Sequence, residues 1–173
     1  MRLFVAINFG KSTVNRLLDL CEQLRAVSSR GNFSLPENLH LTLAFLGECD
    51  ARQAAAIRAA MDQVTFAPFD LAIERIGRYR RDDGDLWWAG VREDRQLLDM
   101  QQLLADKLRA RGFAVEKRRY SPHITLGRRV STNADPQPVA PFGEMVTKID
   151  LMKSERINGK LTYTAIYSKD GEN

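Results

Sequence analysis

The 173-residue chain has only two histidines, and both stand in the same short frame, His40-Leu-Thr-Leu and His123-Ile-Thr-Leu. They lie 83 positions apart, and the same offset carries Leu3-Phe4-Val5-Ala6 onto Leu86-Trp87-Trp88-Ala89. In each half a strand, one helix and then the H-x-T-L strand follow in that order. Matching order at matching spacing reads as an internal duplication. Its natural product is a pair of βαβ-like lobes related by a pseudo-twofold axis, each presenting one H-x-T strand. The expected fold class is α+β: bilobal, with two mainly antiparallel sheets, helices on their outer faces and a cleft between the lobes. The chain is expected to form one domain over 1–173. Its lobes fall at about 1–80 and 81–173, with room for strand exchange between them.

Periodicity fills in the elements. Leu3–Phe9 is an apolar run of strand formers, and Val14, Leu17, Leu18, Cys21 and Leu24 mark a helix from Lys11 to about Val27. Asn38–Leu46 reads as a strand, and Asp50 is the N-cap of a helix to about Val64 with Ala54, Ile57, Met61 and Val64 inward. Strands are expected over Phe69–Tyr79 and Asp85–Val91, separated by the Asp82-Asp83-Gly84 turn. A helix over Asp94–Arg111 carries Leu97, Leu98, Gln101, Leu104 and Leu108 in phase and stops at Gly112. Tyr120–Gly127 is a strand, Ser131–Pro141 with its three prolines a loop, and Phe142–Lys153 and Leu161–Ser168 the last two strands. Asn158-Gly159 is the strongest hairpin signal in the chain.

Residues two apart on a strand share a face. His40 and Thr42 therefore face one way while Leu39, Leu41 and Leu43 pack the other; His123 and Thr125 are set off likewise from Ile124 and Leu126. If the pseudo-twofold brings the two strands together, two imidazoles and two hydroxyls line one cleft. Two histidines can divide a phosphodiester displacement, one taking the proton of the attacking water and the other supplying the departing oxygen. Threonine hydroxyls are neutral donors suited to the non-bridging oxygens, where charge gathers. The chain has no Cys/His spacing or carboxylate cluster that would bind a metal, so no metal and no cofactor are expected.

The net charge of +4 is clustered. Arg75, Arg78, Arg80 and Arg81 form one group, and Lys117, Arg118, Arg119, Arg128 and Arg129 flank the second histidine. Such runs serve either as solvated strand ends or as a phosphate-attracting surface. Cys21 falls on a helix's apolar stripe and reads as a buried, reduced thiol. No signal-peptide pattern or membrane span is present, so a cytoplasmic location and no membrane partner are expected.

NLHLTLAFLG and SPHITLGR resemble the paired signatures of the 2H phosphoesterase superfamily. RLFVAI and LWWAGV are similar, more narrowly, to the bacterial and archaeal RNA 2′,3′-cyclic phosphodiesterases, also called 2′-5′ RNA ligases. The likeness runs from Arg2 to Tyr163, and the antiparallel direction of the sheets rests on it. It implies metal-independent opening of a terminal 2′,3′-cyclic phosphate to a 2′-phosphate, with weak reversible joining of RNA ends through a 2′-5′ bond. By this likeness His40 is the acid on the departing 3′-oxygen and His123 the base on water, although near-symmetry leaves the roles exchangeable. Thr42 and Thr125 match phosphate-holding hydroxyls. Arg128 matches a phosphate-reaching arginine, yet strict alternation puts it opposite His123, so Gly127 or a strand end must swing it round. Phe45, 83 positions before Arg128, resembles a base-stacking aromatic; a core phenylalanine fits the pattern equally. Trp87 and Trp88 offer a stacking platform, with at least one of them in the core. Tyr120 stands where phenylalanine is usual, and Gly127 where a small or apolar residue is.

The partner implied is RNA with a cyclic phosphate end, tRNA fragments included, or else a small cyclic nucleotide; a monomer suffices. A nucleotide- or RNA-binding module without turnover is the alternative from another class. Two titrating groups in one cleft argue against it.

Overall fold

The computed structural model describes residues 1–173. Nine strands form two antiparallel sheets: β1 (Arg2–Asn8), β3 (His40–Glu48), β8 (Lys148–Ile157) and β9 (Lys160–Asp170) in the order β3-β1-β8-β9, and β2 (Ser28–Phe33), β4 (Phe69–Tyr79), β5 (Asp85–Val91), β6 (His123–Thr132) and β7 (Gln137–Val146) in the order β2-β6-β5-β4-β7. Helices α1 (Lys11–Ala26), α2 (Ala51–Asp62) and α3 (Arg95–Ala110) complete the α+β architecture. One core runs through both sheets, joining Leu3, Val5 and Leu41 to Trp87, Ala89 and Ile124.

The two halves exchange parts. β2 pairs with β6 and β8 with β1, each outside the sheet its own half nucleates. Helix α1 packs against β2, β6 and β7, whereas α3 packs against β3 and β4. Each H-x-T strand is thus backed by the helix that precedes the other one. Antiparallel pairing of β1 with β3 and of β5 with β6 replaces the expected βαβ-like unit, because the strand after the helix returns to its neighbour's edge in the opposite sense.

Most expected elements form. Asp50 closes a full capping box with Gln53, and Ala54, Ile57, Met61 and Val64 all point inward. Asn158 and Gly159 both take positive φ, 52° and 79°, as a type I′ turn requires between β8 and β9. The structure departs from the sequence reading at four further places, the first of them a segment left unassigned. The polar segment Ser28–Phe33 is an edge strand without an alternating signal. The proline-rich stretch is not all loop: Pro138 and Pro141 lie in β7, an edge strand where a missing N–H costs no ladder bond to a second neighbour. Phe142–Lys153 is not one strand but β7 and β8, which part at Thr147 and enter different sheets.

The fourth correction concerns register. Ala6 pairs with Thr42, and Trp88 with Thr125, so the leading strands correspond at an offset of 82 while the histidine strands keep 83. One residue of slip exchanges the two faces of a strand. Trp87 accordingly points into the core, fully buried, and Trp88 points to the cleft side.

Both histidine strands carry an extra residue. Consecutive Val5 and Ala6 pair with Ala44 and Thr42, skipping Leu43; consecutive Trp87 and Trp88 pair with Gly127 and Thr125, skipping Leu126. These are β-bulges, 83 positions apart. A bulge takes backbone out of the ladder, and helix side chains reach it. Gln101 of α3 donates from Nε2 to the Leu43 carbonyl at 3.0 Å, and Cys21 of α1 donates from Sγ to the Leu126 carbonyl at 3.6 Å. This explains a glutamine on the apolar stripe of α3.

Replacing Gln101 by leucine should orphan the Leu43 carbonyl and lower stability by about 1–3 kcal/mol, read as a fall in the urea midpoint at unchanged slope. An unchanged midpoint would refute the role assigned to this hydrogen bond.

Candidate active site

The bulges decide what the cleft contains. In an unbroken strand Phe45 and Arg128, each five positions after its histidine, would face the core. The inserted residue returns both to the face of His40–Thr42 and His123–Thr125. Gly127 contributes by its size: a Cβ there would lie 3.0 Å from both the Phe33 ring and Val130 Cγ2. All six residues expected at the site, His40, Thr42, Phe45, His123, Thr125 and Arg128, line one cleft of about 620 Å³ between the sheets. Arg2, Asn38, Ser34 and Tyr163 also line it, and no carboxylate does.

Each imidazole is fixed in the same way. His40 Nδ1 lies 2.9 Å from the Asn38 carbonyl, and His123 Nδ1 lies 2.8 Å from the Ser121 carbonyl. A carbonyl only accepts, so Nδ1 carries a proton and Nε2 is left for other partners. Aromatic rings hold the planes. His40 sits 4.9 Å from Phe4 and 5.3 Å from Tyr163, edge-on to the latter; His123 sits 5.4 Å from Tyr79, edge-on, and 6.3 Å from Trp88. Trp88 is not a stacking platform: Tyr79 lies 5.5 Å from it and the Arg75 guanidinium 5.6 Å. Phe45 is no core residue; it is 53% exposed, with the Arg2 guanidinium 5.0 Å from its ring.

The two histidines differ in setting. His40 is the more enclosed, and its Nε2 lies 3.0 Å from Thr42 Oγ1. Burial lowers its pKa to about 4, the Asn38 carbonyl opposing and the Arg128 cation adding to the depression. His40 is therefore a neutral imidazole whose Nε2 accepts the Thr42 hydroxyl.

Sequence reasoning missed the contacts that clasp the two strands. The Tyr120 hydroxyl donates to the Thr42 carbonyl at 2.7 Å, and the Ser34 hydroxyl donates to the Thr125 carbonyl at 2.8 Å. Each motif's threonine backbone is thus held by a hydroxyl from the approach to the other motif. The unusual tyrosine at 120 was the legible half of this pair; nothing marked Ser34.

A likeness to known proteins agrees with this geometry. The family model of the 2′-5′ RNA ligase superfamily matches residues 15–156. The RNA 2′,3′-cyclic phosphodiesterase of Archaeoglobus fulgidus is 30% identical over 167 residues, covering 92% of this chain and 94% of that protein. The enzyme of the same name from Escherichia coli K12 is 31% identical over 132 residues, 75% and 74% of the two chains. Among solved structures, E. coli LigT complexed with 3′-AMP superposes with a TM-score of 0.86 at 26% identity, covering 99% of this chain and 98% of that one.

Two outcomes are expected. Exchanging Arg128 for glutamine removes a cation that opposes protonation, so the His40 titration followed by NMR should move upward from about 4; a downward move or none would refute the coupling. Replacing Tyr120 by phenylalanine leaves the Thr42 carbonyl without its donor and should cost about 1 kcal/mol or somewhat more, read as a lower thermal midpoint.

Proposed function

The chain belongs to the 2′-5′ RNA ligase superfamily, and we propose that it opens the 2′,3′-cyclic phosphate at an RNA end to a 2′-phosphate, by acid–base catalysis between His40 and His123 and without a metal. The observation that carries this reading is the convergence of two Nε2 atoms, two threonines and an unpaired arginine on one carboxylate-free cleft. No three His, Cys, Asp or Glu side chains gather where they could hold a metal ion. We treat residues 1–173 as a single catalytic domain acting as a monomer.

His123 takes the proton from water as its oxygen attacks phosphorus. The P–O3′ bond breaks, and His40 protonates the departing 3′-oxygen. Thr42, Thr125 and Arg128 hold the non-bridging oxygens as negative charge concentrates on them. A neutral His40 is the wrong form for an acid, and the substrate supplies the remedy. A phosphate anion beside His40 offsets the Arg128 cation and raises the imidazole's pKa, so the acid is armed only when the cleft is filled. The same displacement with a 5′-hydroxyl in place of water joins two RNA ends through a 2′-5′ linkage. Phe45, exposed at the cleft's rim, stacks a base.

The test is an oligonucleotide ending in a 2′,3′-cyclic phosphate, incubated with excess chelator. Conversion to a 2′-phosphate is expected, with losses of about 10²- to 10⁴-fold in His40→Ala and in His123→Ala. Binding without turnover would replace the enzyme by a binding module, and a 3′-phosphate product would reverse the leaving oxygen. A substrate with sulfur at the 3′ bridging position needs no acid, so it should rescue His40→Ala and leave His123→Ala inactive. Rescue of His123→Ala instead would exchange the two roles. In NMR, a bound 2′-nucleotide should lift the His40 titration above its ligand-free position.

A further inference from the structure

A second cleft, of about 780 Å³, opens beside the catalytic one and shares Thr42, Phe45 and His123 with it. His40 does not line it. We propose that this second cleft seats the RNA end whose 5′-hydroxyl attacks the cyclic phosphate, and so makes the chain a template for joining two RNA ends. The inference rests on the phosphodiesterase reading given above.

The first argument is geometrical. In-line displacement places the attacking and departing oxygens on opposite sides of phosphorus. Both ring oxygens of a cyclic phosphate belong to one ribose, so the donor nucleoside occupies the departing side alone. A cleft that reaches His123 and not His40 lies on the attacking side. Water needs no such volume, and a nucleotide fits it.

The second argument is the chemistry of the walls. Tyr79 and Arg81 line the second cleft with Phe45, and the Arg81 guanidinium lies 5.6 Å from the Tyr79 ring. Its neighbours Arg78 and Arg80 share Asp85, whereas the Arg81 guanidinium bonds only the Arg80 carbonyl, at 3.0 Å. The cleft's single carboxylate, Glu116, is engaged by Arg118. A stacked aromatic beside a cation free of carboxylate suits a base and its backbone phosphate. Tyr79 also stands edge-on to His123, so an end bound there delivers its hydroxyl to the base.

The step balances. The 5′-oxygen bonds to phosphorus as the P–O3′ bond breaks, the hydroxyl proton passes to His123 and the 3′-oxygen takes a proton from His40. The product is a 2′-5′ phosphodiester beside a free 3′-hydroxyl.

The experiment supplies a cyclic-phosphate oligonucleotide and a dinucleotide with a free 5′-hydroxyl, and reads the ratio of joined to hydrolysed product within one reaction, which cancels any change in overall rate. Arg81→Ala should lower that ratio at least tenfold. Arg30→Ala, an equal loss of charge outside the second cleft, should leave it within twofold. Hydrolysis by the native protein with no joined product would overturn the proposal, as would an unchanged ratio in Arg81→Ala. A ratio that holds while the KM for long donors rises would assign the cleft to the donor's upstream nucleotides instead, and equally overturns it. If no product of either kind forms, the phosphodiesterase reading itself fails.

Discussion

Strand geometry alternates strictly, yet each histidine strand sends three side chains, at positions i, i+2 and i+5, into one cleft. An odd step cannot be met by a regular strand. One added residue per strand resolves the conflict, and the bulges at Leu43 and Leu126 add it at equivalent positions. The presence of Phe45 and Arg128 in the cleft depends on that insertion. Without it, Arg128 and Phe45 would be driven into the core, and the cleft would lose the cation that acts on His40. The rest of the fold services the irregularity: α3 supplies Gln101, α1 supplies Cys21, and each helix reaches across from the opposite half of the sequence to do so.

That crossing also explains how two halves act as one site. If each half folded back on itself, the spacing of the two imidazoles would depend on one hinge. Here β2 joins the sheet of β6, the β8–β9 hairpin joins the sheet of β1, and the helices back each other's motif strands. The clasp of Tyr120 on Thr42 and Ser34 on Thr125 ties each catalytic strand to the approach of the other. A working cleft that must hold its groups within a fraction of an ångström is served by such redundancy.

Much of this was legible in the sequence, and the failures have physical causes. Hydrophobic period and turn chemistry located the helices, the Asp50 cap and the Asn158-Gly159 turn, since those signals are local. The histidine frame identified the paired strands because a repeated polar pattern at one spacing is improbable by chance. Ser28–Phe33 escaped because an edge strand with little burial carries no alternation, and the break at Thr147 escaped because nothing local distinguishes a strand from two strands entering different sheets. The one-residue error in aligning Phe4 with Trp87 came from the connection between the strands. The partners Ala6 and Thr42 are 36 positions apart and Trp88 and Thr125 are 37, so the second half has one residue more there, whereas the bulge at Leu126 has its equal at Leu43. The puzzle over Arg128 was the visible trace of that bulge, correctly noticed as a clash between function and alternation.

The duplication gives near-symmetric scaffolding and asymmetric contents, and in the proposed mechanism the asymmetry makes catalysis directional. Position i+5 is an exposed phenylalanine in one half and an arginine in the other. His40 lies between Phe4 and Tyr163, buried enough to be neutral; His123 lies against Tyr79 and Trp88 and lines the second cleft. A symmetric pair would have two equivalent proton carriers and no preference for which oxygen departs. Under that proposal, enclosing one imidazole makes its proton conditional on a bound anion, while the other stays open to the nucleophile's side. In the proposed mechanism acid and base are thus separated by surroundings rather than by residue type, which is how two identical side chains can be given opposite tasks.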